Sequence, residues 1–177
     1  GGTVINRFCS SGLQAIAVAA GRIVMDGVPA MVAGGAESIS LLNPAGRGGT
    51  AHLDPWLVEH KPQLFMEMID TADVVAARYG ISREDQDAFA LQSQQRTAAA
   101  QAGGVFDNEI VPCKTTMAEK NKDTGEVTHK EVTVTMDNCN RPTTTLAGLA
   151  GLEPVKGAGK FVTAGNASQL SDGAAAC

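Results

Sequence analysis

The apolar positions at the start of the chain change period twice. Residues 3–8 form a short β-prone run, broken by Cys9-Ser10-Ser11-Gly12. From there Leu13, Ile16, Ala17, Ala20, Ile23 and Val24 recur at three- and four-residue steps, which predicts a helix. Ser10 or Ser11 can cap it, and Gly27 falls just past its end. Residues 28–33 then read as an apolar strand ending in Gly34-Gly35. A strand–helix–strand unit of this length predicts a parallel pair with a right-handed crossover.

Periodicity is lost over residues 40–61, where Pro44, Gly46, Gly48, Gly49 and Pro55 predict a loop. Two helices follow. One runs through Phe65, Met68, Ile69, Ala72, Val75 and Ala76 and closes at Gly80. The other starts at Ser82, which has capping-box spacing to Asp85, and continues toward Gly103-Gly104 with a polar face that reads as solvated. Residues 109–116 and 127–136 predict two strands of a hairpin turning through 122–126. In the second, Val132, Val134 and Met136 alternate with threonines, so one face is expected to be buried. A short helix is expected over 143–152 and a strand over 161–165, and residues 171–177 read as the start of another helix.

Composition narrows the class. The 177 residues are 44% hydrophobic and 19% charged, which is globular composition. Gly is 20 residues and aromatics only 4%, which suits close α/β packing of small aliphatic side chains. No apolar run approaches the ~20 residues of a bilayer span, so none is expected. The net charge of −5 argues against nucleic acid as a bulk electrostatic partner. The deficit is local, because residues 61–110 hold four basic and eight acidic groups while 111–177 hold seven of each. An anionic small ligand remains compatible with that distribution. The four cysteines, Cys9, Cys113, Cys139 and Cys177, form no CxxC pair and have no His at ligand spacing. They read as reduced intracellular thiols, not a zinc site. Gly1 stands where an initiator Met is expected, and both ends read as cut from a longer chain.

Cys9 carries the strongest chemical signal. A thiol at a strand-to-helix junction meets unpaired N–H groups and the positive end of the helix dipole, which favour the thiolate. The same amides can receive an oxyanion in acyl transfer, which makes Cys9 a candidate acyl-carrying nucleophile. The plain alternative is a small residue packing helix against strand. Gly34-Gly35-Ala36-Glu37-Ser38 matches neither GxGxxG nor a P-loop and reads mainly as a strand exit. His52, His60 and His129 are general bases by type, but each sits where an ordinary surface histidine would.

Asn6-Arg7-Phe8-Cys9-Ser10-Ser11-Gly12-Leu13-Gln14-Ala15, Ala33-Gly34-Gly35-Ala36-Glu37-Ser38, the stretch from Ser82 to Ala90, and Val162-Thr163-Ala164-Gly165-Asn166-Ala167-Ser168 together resemble the thiolase family. The four motifs stand in order over nearly the whole chain. The resemblance implies an α/β fold, part of a βαβαβαββ core with an inserted α+β loop domain. Residues 1–41 would begin that core, 42–158 would form the insertion, and 159–177 would return to the core. It also implies that Cys9 attacks the thioester of an acyl-coenzyme A and holds the acyl group. By the same resemblance Met68 lies at the acyl pocket, and Ala164 and Ser168 line the channel for the pantetheine arm. No cofactor is expected beyond coenzyme A as substrate, and a homodimer or homotetramer is implied. The implied location is the cytoplasm of a bacterium or the matrix of an organelle.

Departures from the family pattern define the rival readings. Glu67 stands where acetoacetyl-type enzymes carry His, Ile69 replaces Gly, and Glu153 replaces a basic residue near the nucleotide. These favour a non-catalytic thiolase-like subunit that keeps the coenzyme A pocket. Cys-Ser-Ser-Gly resembles the degradative 3-ketoacyl-CoA thiolases more than the Cys-Gly-Ser-Gly of biosynthetic acetoacetyl-CoA members. A ketosynthase acting on acyl carrier protein shares the Cys-at-helix logic but differs around the nucleophile. The family's Asn-Glu-Ala-Phe, Gly-His-Pro and Cys-x-Gly motifs do not occur among the 177 residues. These residues alone are therefore expected to turn over little substrate.

Overall fold

The structure is a computed structural model that describes residues 1–42 and 53–177. His52 and most of the predicted loop's glycines and prolines thus lie outside the described residues. The chain divides into two compact units, Gly1–Leu57 with Gln169–Cys177, and Val58–Ser168.

The first unit is built on helix α1 (Ser11–Asp26), entered through a 3-10 turn at Phe8–Ser10. Gly27 ends α1 in the left-handed conformation (φ 68°), where its N–H reaches Arg22 O. Gly is the residue that adopts that geometry without strain. The sequence before the turn does not form the expected strand; residues 1–7 are irregular. Residues 28–33 form no strand, contrary to expectation; strand β1 (Gly34–Glu37) follows them and pairs with β4 (Gly173–Ala176). The pair is antiparallel, with Gly34 opposite Ala176 and Glu37 opposite Gly173, which corrects the expected parallel partner. It also corrects the reading of residues 171–177 as a helix start. Their small side chains suit a helix by propensity, but the ladder with β1, extended by the reciprocal bonds of Ala33 and Cys177, holds them straight. Asp172 ties this ladder to the short helix α2 (Ile39–Leu42). Its Oδ1 accepts from Ser40 N at 3.0 Å and its Oδ2 from Ser38 Oγ at 3.3 Å. These bonds, the Ser40 N–H first, hold its carboxyl below the usual aspartate range.

Much of the apolar stripe of α1 is uncovered, with Leu13 at 74% and Val24 at 82% exposure. The helical stretch Phe8–Asp26 has a mean hydropathy of 1.4 and, by length and composition only, could cross a membrane. This corrects the expectation drawn from run length, because interspersed Ala residues raise the mean without making an unbroken apolar run. Core helices of soluble proteins and signal sequences have the same composition.

The second unit begins in the short helix α3 (Pro55–His60) and a 3-10 turn at Pro62–Phe65. Helix α4 (Met68–Tyr79) ends at Gly80, and α5 (Arg83–Ala102) starts from Ser82. The capping box is present in full: Ser82 Oγ accepts from Asp85 N, and Asp85 Oδ2 accepts from Ser82 N. The expected hairpin forms between β2 (Cys113–Lys120) and β3 (Val127–Val134), in register with Cys113 opposite Val134. Its predicted buried face is uncovered; of both strands only Val132 is even half-buried. Alternation marks a face suited to burial, and in this unit no element packs over it. Helix α6 (Leu146–Ala150) is capped by Thr145, whose Oγ1 accepts from Gly148 N.

Residues 161–165 form no strand, although their β-prone sequence predicts one. Side chains take up their backbone donors instead. Asp73 Oδ1 accepts from Phe161 N at 2.9 Å and Val162 N at 3.3 Å. Asn166 Oδ1 accepts from Thr163 N at 2.7 Å. Nor is the polar face of α5 wholly solvated, because Asp87 is 2% exposed. A carboxylate is buried there because Arg83 reaches it one helical turn away, Nε to Oδ2 at 2.8 Å. Removing one partner of such a buried pair costs about 3–5 kcal/mol.

Candidate functional site

Cys9 lies in the middle of the 3-10 turn that leads into α1, exposed and with a free thiol. The turn is held by side chains from both sides. Ser11 Oγ accepts from Arg7 N at 2.8 Å and donates to Phe8 O at 2.7 Å. Asn6 Oδ1 accepts from Phe8 N at 3.0 Å, and Arg7 Nη1 donates to Gln14 Oε1 at 2.9 Å. Between these clamps Phe8 takes φ +49°, the one non-glycine residue with positive φ among the described residues. Neither serine caps α1 in the expected way: Ser10 is the N-cap without a side-chain bond, and Ser11 faces back into the turn.

This local fold follows from the sequence. Ser11 and Asn6 are short polar side chains that bond to nearby backbone, so they favour a turn over continued strand. The turn places Cys9 immediately ahead of the first turn of α1. A Cβ added at Gly12 would meet nothing within 4 Å, so the space at this first turn of α1 is open. An exposed thiol can attack an acyl carbon and hold the acyl group as a thioester.

The second unit holds the other three sequence-predicted residues, all exposed. Met68 opens α4 and is 76% exposed. It borders an apolar groove of about 340 Å³ with Thr71, Ala72, Val75, Ala76, Ile81 and Gln86. Ala164 and Ser168 lie on the 161–168 segment, outward of the buried Val162 and Thr163. Gly165 on that segment has no room for a side chain, since a Cβ would come within 2.5 Å of Leu149 Cδ2. Asp73 links α4 to the same segment, so the helix bearing Met68 and the strip bearing Ala164 are hydrogen-bonded together.

A second tether joins the start of α4 to the 154–160 segment. Lys156 Nζ lies 2.6 Å from Glu67 Oε2 and 3.4 Å from Asp70 Oδ2. The Glu67 bond is the main cause that holds the Lys156 ammonium above its usual range, with Asp70 adding to it. Glu67, which departs from the acetoacetyl-type pattern, thus has a partner in this chain. Ile69 is half-buried and Glu153 exposed. His129 sits exposed on β3 opposite Ala118. No group of three His, Cys, Asp or Glu is placed to hold a metal among the described residues.

Sequence reasoning missed the anchors Asp73, Asp87, Arg83 and Asn166. One signal was present: Arg83 and Asp87 are four apart, the spacing of an ion pair on one helix face.

Comparison with known proteins fits this arrangement. The family described as Thiolase, N-terminal domain matches residues 2–177. The chain belongs to the thiolase family, through that domain. It is 45% identical to the 3-ketoacyl-CoA thiolase of Bacillus subtilis (strain 168) over 172 residues, 97% of this chain and 43% of that protein. It is 46% identical to the human peroxisomal 3-ketoacyl-CoA thiolase over 176 residues, 98% of this chain and 40% of that protein. The crystal structure of the dimeric peroxisomal thiolase of Saccharomyces cerevisiae superposes with a TM-score of 0.76 at 32% identity, covering 97% of this chain and 41% of that one. Human mitochondrial 3-ketoacyl-CoA thiolase in complex with CoA gives 0.73 at 35% identity, covering 97% and 42%. The fold is thus the α/β fold of a thiolase, and the chain spans about two fifths of the length of these relatives.

Proposed function

We propose that this chain carries the nucleophile of a thiolase that cleaves 3-ketoacyl-CoA with free CoA or runs the reverse condensation. The Cys9 thiolate attacks the ketone carbon at C3 of 3-ketoacyl-CoA, and the C2–C3 bond breaks. The two-carbon fragment leaves as the enolate of acetyl-CoA and takes a proton, while the remaining acyl group stays as a thioester on Cys9. The thiol of free CoA gives up a proton and displaces Cys9, forming the shortened acyl-CoA and regenerating the thiolate. The observation that carries the reading is an exposed thiol at a helix start within residues matched by the thiolase N-terminal domain.

Met68 is assigned to the acyl pocket, and Ala164 and Ser168 to the pantetheine arm of coenzyme A. The apolar groove beside Met68 and the outward position of the other two support these roles. Coenzyme A is read as a substrate, with no further cofactor. The human mitochondrial relative, solved in complex with CoA, supports coenzyme A as ligand. The yeast peroxisomal relative is dimeric, which supports a homo-oligomer, read as a homodimer or homotetramer. The relatives include bacterial and peroxisomal enzymes, in keeping with the cytoplasm or an organelle matrix. The departure at Glu67 gives the non-catalytic reading little support once its partner Lys156 is known.

The test is thiolysis of a 3-ketoacyl-CoA by the natural full-length protein and its Cys9→Ala variant. The variant is expected to lose at least about a thousandfold in kcat, as removal of a covalent nucleophile does. Unchanged turnover would end the proposal.

A further inference from the structure

The strip that bears Ala164 and Ser168 is irregular backbone, yet its buried side is held by a closed set of side-chain bonds. Asp87 is the centre of that set. Its Oδ2 accepts from Arg83 Nε at 2.8 Å, and its Oδ1 accepts from Asn166 Nδ2 at 2.9 Å. Arg83 Nη2 continues outward to Leu149 O at 2.8 Å and Leu152 O at 2.9 Å, which fixes the end of α6. Asn166 continues inward: Nδ2 also donates to Phe161 O at 3.1 Å, and Oδ1 accepts from Thr163 N. Thr163 is wholly buried, and its Oγ1 accepts from Gly165 N and Asn166 N. The donors at 161–163, 165 and 166 are therefore all met by side chains. Rigidity that a sheet would supply through its ladder is supplied here by two carboxylates, an amide and a hydroxyl.

We propose that Asp87 is a positioning residue for coenzyme A, acting through Asn166 to fix the exposed strip that bears Ala164 and Ser168. The inference rests on the assignment of that strip to the pantetheine arm. Its logic is the directionality of the bonds. A carboxylate accepts on both oxygens, so Asp87 serves Arg83 and Asn166 at once. An amide at the same place offers one acceptor, so one of the two donors then faces an N–H group. Either the α6 anchor or the strip must loosen. The charge of Asp87 is already matched by Arg83, so the role is geometric, not a field acting on substrate.

The experiment compares Asp87→Asn with the unmodified full-length protein by calorimetric CoA binding, by KM and kcat in thiolysis, and by the rate at which iodoacetamide modifies Cys9. The expected result is a rise of about tenfold in both the Kd and the KM for CoA. kcat should stay within about threefold, and the Cys9 alkylation rate should not change, since none of the bonds of Asp87 and Asn166 reaches the turn that holds Cys9. A lowered melting temperature with unchanged Kd would overturn the proposal. If Asp87→Asn does not fold, Asn166→Ser is read by the same Kd, and wild-type affinity there overturns it equally. A protein that binds no CoA before any substitution would instead sink the functional assignment, and this inference with it.

Discussion

Lys156 Nζ stands 2.6 Å from the Oε2 of Glu67, the N-cap residue of α4 and the neighbour of Met68. The pair ties the 154–160 segment to the helix start that borders the apolar groove. Both side chains are partly solvated, at 34% and 67% exposure, so water and salt screen the attraction. Glu67→Gln is therefore expected to shift the melting temperature by less than about 3 °C and to leave kcat within about threefold. A tenfold or greater loss of kcat would mean that this carboxylate takes part in the chemistry. The pH sign follows from the raised Lys156 ammonium. Its contribution is complete below the ordinary lysine value of 10.5 and fades only as pH rises through the higher folded value. Melting temperatures of the Glu67→Gln and unmodified proteins should thus differ by the same amount at pH 6 and pH 9.

Asp172 gives the opposite dependence. Its carboxyl is held below the ordinary 3.8, first by the Ser40 N–H and then by the serine hydroxyls. A depressed folded value contributes stability above the unfolded value and loses it as pH falls through the folded one. Asp172→Asn should therefore lower the melting temperature at pH 7, with the gap to the unmodified protein closing below about pH 3.8. Equal melting temperatures at pH 7 would show that the bonds to Ser38 and Ser40 add nothing.

Phe8 at φ +49° stores backbone strain beside the thiol. An L-residue in the left-handed region costs about 1–2 kcal/mol, and the Phe8 ring, 89% exposed, recovers little of it by burial. Phe8→Gly relieves the strain but frees the unfolded chain by about 0.5–1 kcal/mol, so stability should hold or rise slightly. Phe8→Val puts a β-branched side chain in the same region and should cost at least about 1 kcal/mol. Urea titration of both variants checks the contrast; equal losses would refute the left-handed turn.

What the sequence showed and what it hid divide along the range of the interaction. The α1 periodicity with Gly27, the capping box of Ser82 and Asp85, and the 122–126 turn are local, and each is present in the structure. The pairing of β1 with β4 joins residues far apart in the chain, and alternation within a strand carries no information about its partner. The strand expected at 161–165 failed because its N–H groups bond to Asp73 and Asn166, which no β-propensity anticipates. The burial of Asp87 was hidden for the same reason: a carboxylate reads as surface until its partners are known. The position of Cys9 just ahead of α1 was legible from the helical periodicity that starts at Leu13, whereas the clamps of Asn6 and Ser11 on Phe8 depend on turn geometry.

The most direct test of the central claim is where the acyl group rests. The full-length protein, mixed with a 3-ketoacyl-CoA in the absence of free CoA and quenched in acid, should carry one acyl group. Peptide mass spectrometry should find it as a thioester on Cys9, removable by added CoA. An acyl group found instead on Cys113, Cys139 or Cys177, or no adduct in a protein that still turns over, would contradict the account.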